Sequence, residues 1–94
     1  MHVKWLRKAL RNLDDESSYI ATDDPVAASL LVKRVLDAVK VLAEQPNLGR
    51  PGRIPGTREL VVEKTRYIVP YRVRGETVQL LRVFHTSRRL PKKW

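Results

Sequence analysis

The sequence predicts an α+β fold: an N-terminal strand, an α-helical hairpin, and then a three-stranded antiparallel meander packed on the hairpin. In the first half, apolar residues recur at spacings of three and four. In the second, apolar and polar residues alternate, and a segment rich in proline and glycine separates the two regimes. A chain of 94 residues with 43% hydrophobic content suffices for a single domain, 1–94, with one core.

The first strand is short: Val3 and Trp5 alternate with His2 and Lys4, which buries one face. From Leu6 the period changes to that of a helix. Leu6, Ala9, Leu10, Leu13, Ser17 and Ile20 form a stripe, with Arg7, Lys8, Arg11, Asp14 and Asp15 on the other side, so a helix is expected over about 7–22. Asp24 is placed to cap a second helix, and Pro25 suits its first turn because proline has no amide hydrogen to leave unsatisfied. That helix is expected to run to about Glu44, burying Ala28, Leu31, Val32, Val35, Leu36, Val39 and Leu42, before Pro46 ends it. Residues 45–57 gather three of the four glycines and three of the six prolines and read as a loop bearing Arg50 and Arg53.

Three strands follow, over 58–63, 67–73 and 78–85, joined by spacers short enough for a meander. Leu60/Val62, Val69/Tyr71/Val73 and Leu81/Val83 are expected on the face against the hairpin, leaving Leu80 and Phe84 on the other; Tyr67 and Tyr71 read as core. Pro70 cannot donate to a strand ladder, which predicts a local bulge. The basic tail, 87–94, has no periodicity and is expected to be mobile unless Trp94 docks.

The net charge of +9 is unevenly spread. Residues 1–48 hold seven basic and seven acidic residues, whereas residues 49–94 hold twelve basic against three acidic. This asymmetry predicts an electropositive surface for nucleic acid or an acidic protein segment. The chain has no cysteine, two histidines, and neither a phosphate-binding loop nor a dinucleotide glycine motif, so no cofactor and no metal are expected. The N-terminus carries no signal-like or membrane-spanning apolar run, and a cytoplasmic protein without membrane contact is expected.

Several segments together resemble the RelE/ParE toxins of type II toxin–antitoxin systems. They are Val3 through Leu13-Asp14-Asp15 to Tyr19-Ile20-Ala21, the Gly49-Arg50-Pro51 loop, Pro55-Gly56-Thr57-Arg58-Glu59, Tyr67 through Val73, and Val83 through Arg89. The ending His85-Thr86-Ser87-Arg88-Arg89 resembles the His-x-x-Arg close of the ParE-like branch. That resemblance implies a growth inhibitor acting on DNA gyrase and neutralised by a cognate antitoxin in a hetero-oligomer. The alternative implied by the superfamily is a RelE-like endoribonuclease acting on mRNA at the ribosome. Its candidate catalytic residues here are Arg53, Arg66 and His85, but Thr86 stands where a tyrosine partner is common, and no carboxylate lies between Glu44 and Glu59. Candidates for target binding are Arg50, Arg53, Arg66, Arg82, Arg88, Arg89 and Trp94. Candidates for antitoxin binding are Leu31 and Val35 on the hairpin and Arg72 and Arg74 on the sheet.

Overall fold

The computed structural model describes residues 1–87 and 93–94. It contains β1 (His2–Trp5), α1 (Arg7–Ala21), α2 (Pro25–Lys40) with a 3-10 turn at Val41–Ala43, β2 (Arg50–Pro51), β3 (Arg58–Val61), β4 (Tyr67–Arg74), β5 (Thr77–Leu80) and β6 (Phe84–His85). The α+β architecture is the one expected. As predicted, Asp24 caps α2, its carboxylate accepting the Ala27 amide at 3.0 Å, with Pro25 in the first turn. The second helix stops at Lys40 rather than Glu44, because its last turn tightens to 3-10 geometry ahead of Pro46.

The sheet is mixed. Its order is β1-β5-β4-β3-β2, with β6 also paired to β4. The N-terminal strand joins the outer edge of the meander in parallel, setting His2 opposite Thr77 and Trp5 opposite Leu80. The loop expected over 45–57 contains a two-residue strand of its own, Arg50 and Pro51, which pairs with Glu59 and Arg58. Arg74 and Thr77 face each other across a two-residue turn in which Gly75 takes φ +56°, a conformation that favours glycine.

The bulge expected at Pro70 is present and governs which side chains face the helices. Tyr71 pairs with Leu80, and Ile68 pairs with Phe84. Two residues of β4 therefore lie against three, 81–83, of the opposing chain. The carbonyl of Pro70 accepts the Leu81 amide at 2.8 Å, so the missing Pro70 donor falls on the bulged side, where the ladder is already interrupted. One extra residue reverses the alternation beyond it. Val78 and Leu80 thus join Val83 in the core with Leu60, Val62, Val69 and Tyr71, contrary to the expectation that Leu80 lies on the far face. Leu81 is buried but lies outside that cluster, and Val73 is 37% exposed. Tyr67 and Tyr71 belong to the core as expected.

The helical side of the core is supplied by Ala9 and Leu13 of α1, Leu31, Val35 and Val39 of α2, and Leu42 beyond it. Each fully buried Leu or Val contributes roughly 1.5–3 kcal/mol of transfer free energy, which is what holds the hairpin to the sheet. Leu10 and Leu36 of the predicted stripes are exposed. No helix among the described residues is long and apolar enough to cross a membrane.

Candidate target-binding face

The arginine loop is held from two sides. On the hairpin side of the sheet the buried Tyr71 hydroxyl donates to the Pro46 carbonyl at 2.7 Å and accepts the Gly49 amide at 2.9 Å. The Arg58 guanidinium donates to the Gly49 carbonyl at 2.8 Å. A Cβ at Gly49 would stand 2.6 Å from Tyr71 Cε1, so this close approach requires glycine. Farther along, the Gly52 amide donates to the Thr57 carbonyl at 2.8 Å, and the Thr57 hydroxyl donates to the Ile54 carbonyl at 2.6 Å. These bonds leave a proline- and glycine-rich segment with a defined course.

The second anchor is Glu59, 3% exposed on the side of β3 opposite the hairpin. One carboxylate oxygen accepts from the Arg53 amide at 3.1 Å and from Arg53 Nε at 3.2 Å, and the other accepts from Arg50 Nη2 at 3.4 Å. Burial pushes the Glu59 carboxyl up, but the Arg53 amide and guanidinium, aided by Arg50, outweigh it and hold the carboxyl below its ordinary value. Sequence reasoning missed this residue. Its signal was a lone carboxylate beside two loop arginines in a chain half otherwise dominated by cations. Arg50 and Arg53 remain about half exposed, so both present their outer faces to solvent.

Of the nuclease candidates, Arg66 and His85 are neighbours, but Arg53 is not with them. His85 lies directly opposite Tyr67 on β4, and the two rings meet edge to face with centroids 5.1 Å apart. The Tyr67 hydroxyl donates to Glu16 of α1 at 2.8 Å, so His85 is on the hairpin side of the sheet. The Ser87 hydroxyl lies 2.6 Å from His85 Nδ1. Arg66 is exposed next to this pair, its carbonyl accepting the Thr86 amide at 2.7 Å. Arg53, tied to Glu59, belongs to the opposite side. The sheet separates it from His85.

Arg82, Trp94, Arg72 and Arg74 converge on one cleft. The Arg82 guanidinium donates to the Leu81 and Trp94 carbonyls, and the Trp94 ring stacks on Phe84 with centroids 5.3 Å apart. Trp94 therefore docks, on Phe84 and not on Leu80, which is in the core. Arg72 Nε donates to the Gln79 side chain at 2.7 Å, while Arg74 is exposed beside the β4–β5 turn. Arg88 and Arg89 lie outside the described residues. Leu31 and Val35 need correction as antitoxin contacts: at 6% and 0% exposure they pack against the sheet, because the widest part of the α2 stripe is spent on the core. The apolar residues that α2 does expose are Val26, Leu30 and Leu36.

Comparison with known proteins places this geometry. Residues 3–90 match the family described as "ParE toxin of type II toxin-antitoxin system, parDE". "Putative toxin Y4kP" of Sinorhizobium fredii is 47% identical over 90 residues, covering 96% of this chain and 93% of that protein. "Toxin RelE2" of Caulobacter vibrioides is 35% identical over 86 residues, covering 92% and 96%. A chain of the solved "Chromosomal ParDE TA system from P. aeruginosa" superposes with a TM-score of 0.82 at 33% identity, covering 90% of this chain and 95% of that one. Sequence pattern, fold and relatives agree, and the chain belongs to the ParE toxin family of type II toxin–antitoxin systems.

Proposed function

We propose that this toxin inhibits growth as a binding protein directed at DNA gyrase, and that a cognate antitoxin neutralises it in a cytoplasmic hetero-oligomer. The observation that favours binding over RNA cleavage is that the sheet separates Arg53 from the neighbouring His85 and Arg66, which leaves the candidate nuclease set incomplete on either face. Cleavage at a ribose 2′-hydroxyl needs a proton-transfer group and a charge-stabilising cation at the same phosphate. His85 keeps Arg66 beside it but not Arg53, and Thr86 stands where a tyrosine partner would share the proton transfer. A binding protein has no such requirement, and the half-exposed arginines of the loop supply the kind of anchor that dominates interfaces.

The solved ParDE relative supports an antitoxin partner here. Val26, Leu30 and Leu36 give the hairpin apolar positions that such a segment would cover. Induction in growing cells tests the whole proposal with two readouts, mRNA cleavage within coding regions and a DNA-damage response with altered supercoiling. The second is expected without the first. His85→Ala is expected to leave coding regions intact and the DNA response in place. Codon-positioned cleavage abolished by His85→Ala or Arg66→Ala would establish the ribosome-dependent nuclease instead.

A further inference from the structure

The cleft on the far side of the sheet gathers four cations, where each of the other described recesses holds two or none. It measures about 480 Å³ and is bordered by Lys8, Arg72, Arg74 and Arg82, with no acidic side chain among its described lining residues. The two grooves along α2, about 450 and 480 Å³, both include Asp37. Four cations from three separate parts of the chain are thus gathered around one concavity: Lys8 from α1, Arg72 and Arg74 from β4, and Arg82 from the bulge. Like charges brought this close repel one another unless an anion sits between them. In β4, Arg72 and Arg74 are two residues apart on one face, a separation of roughly 6.6 Å along the strand. That step is comparable to the one between consecutive phosphates of a nucleic-acid strand. Arg72 is steadied by its bond to Gln79 and Arg82 by its bonds to the Leu81 and Trp94 carbonyls, so two of the cations are held in place before any ligand arrives.

We propose that this cleft grips the phosphodiester backbone of DNA, so that the toxin touches the nucleic acid as well as the protein of its target complex. In that biological setting the proposal rests on the gyrase reading above, but the binding itself is measurable without it. Phosphate contacts of this kind carry no sequence information, so the cleft orients the toxin on DNA that another partner has selected.

The test compares two variants of the purified chain that each lose two positive charges. One is Lys8→Gln with Arg74→Gln, two exposed cleft residues whose side chains hold no hydrogen bond or ion pair among the described residues. The other is Lys33→Gln with Lys40→Gln, on the exposed side of α2. Binding of a fluorescein-labelled duplex of about 20 base pairs is followed by anisotropy across a salt titration. The cleft variant is expected to lower the slope of log K against log salt by about two, since each lost phosphate contact removes about 0.9, while the α2 variant leaves it unchanged. Equal slopes in the two variants would show that only the overall charge matters and would overturn the proposal. A cleft variant that loses binding to labelled poly-glutamate while keeping the DNA slope would assign the cleft to an acidic protein segment and overturn it as well. Unchanged melting temperatures for both variants exclude misfolding; if the cleft pair melts early, Arg74→Gln alone in its place decides, with an expected fall in slope of about one. Toxicity through mRNA cleavage would defeat the gyrase reading, whereas matched DNA slopes would defeat only the cleft.

Discussion

Replacing Tyr71 with phenylalanine isolates the anchor that joins the arginine loop to the core. The ring is fully buried, and its hydroxyl bridges the Gly49 amide and the Pro46 carbonyl at 2.9 and 2.7 Å. Tyr71→Phe keeps the ring and deletes the bridge. Gly49 is itself buried, so its amide is left without an acceptor, which costs about 1–3 kcal/mol. The Pro46 carbonyl is only half buried and recovers most of its loss from water. Removing the hydroxyl also removes the cost of having buried it, so the net destabilisation is about 2 kcal/mol. For a domain of this size that is roughly 8–16 °C in melting temperature. Equilibrium urea unfolding is the direct assay, with an expected fall in midpoint of about 1–2 M at unchanged slope. A loss below about 0.5 kcal/mol would refute the reasoning, because it would mean the Gly49 amide finds another acceptor and the loop does not depend on Tyr71.

Other residues give independent tests. Glu59 has its carboxyl held below the ordinary value of 4.5, so its contribution is fully present above that pH and is lost as pH falls through the lower folded-state value. Glu59→Gln should therefore cost about 1 kcal/mol at neutral pH, discounted for the half-exposed arginines, and the gap to the unsubstituted protein should close on acidification; urea midpoints that stay parallel down to acid pH would contradict this. Gly49→Ala places a Cβ 2.6 Å from Tyr71 Cε1 and is expected to destabilise by about 1–3 kcal/mol, measured by the same unfolding curve. Trp94→Ala removes the stack on Phe84 and should lower stability by about 1–2 kcal/mol while leaving growth inhibition largely intact. An unchanged midpoint with lost toxicity would make Trp94 a target contact instead of a seal on the sheet.

Much of the fold was written locally. The Asp24-Pro25 helix start, the two helical stripes and the bulge demanded by Pro70 all follow from rules that act over a few residues, and all appear in the structure. Family membership was legible too, through the order of individually weak motifs between Val3 and Arg89. The faces of the last strands were not. Alternation counts residues, and a single extra residue at 81–83 sends Val78 and Leu80 to the hairpin side, an outcome that only pairing with β4 decides.

The functional residues divide in the same way. Composition by itself determined that the C-terminal half is cationic and that Arg53 sits on a loop, while Arg50, expected there too, lies in β2. Only the tertiary structure decided that Glu59 binds both arginines, that Leu31 and Val35 are consumed by the core, that His85 and Arg53 lie on opposite sides of the sheet, and that Lys8 shares a cleft with Arg82. Each of these depends on which segments meet across the sheet, and the free energy that chooses those meetings comes from burying apolar area far apart in sequence.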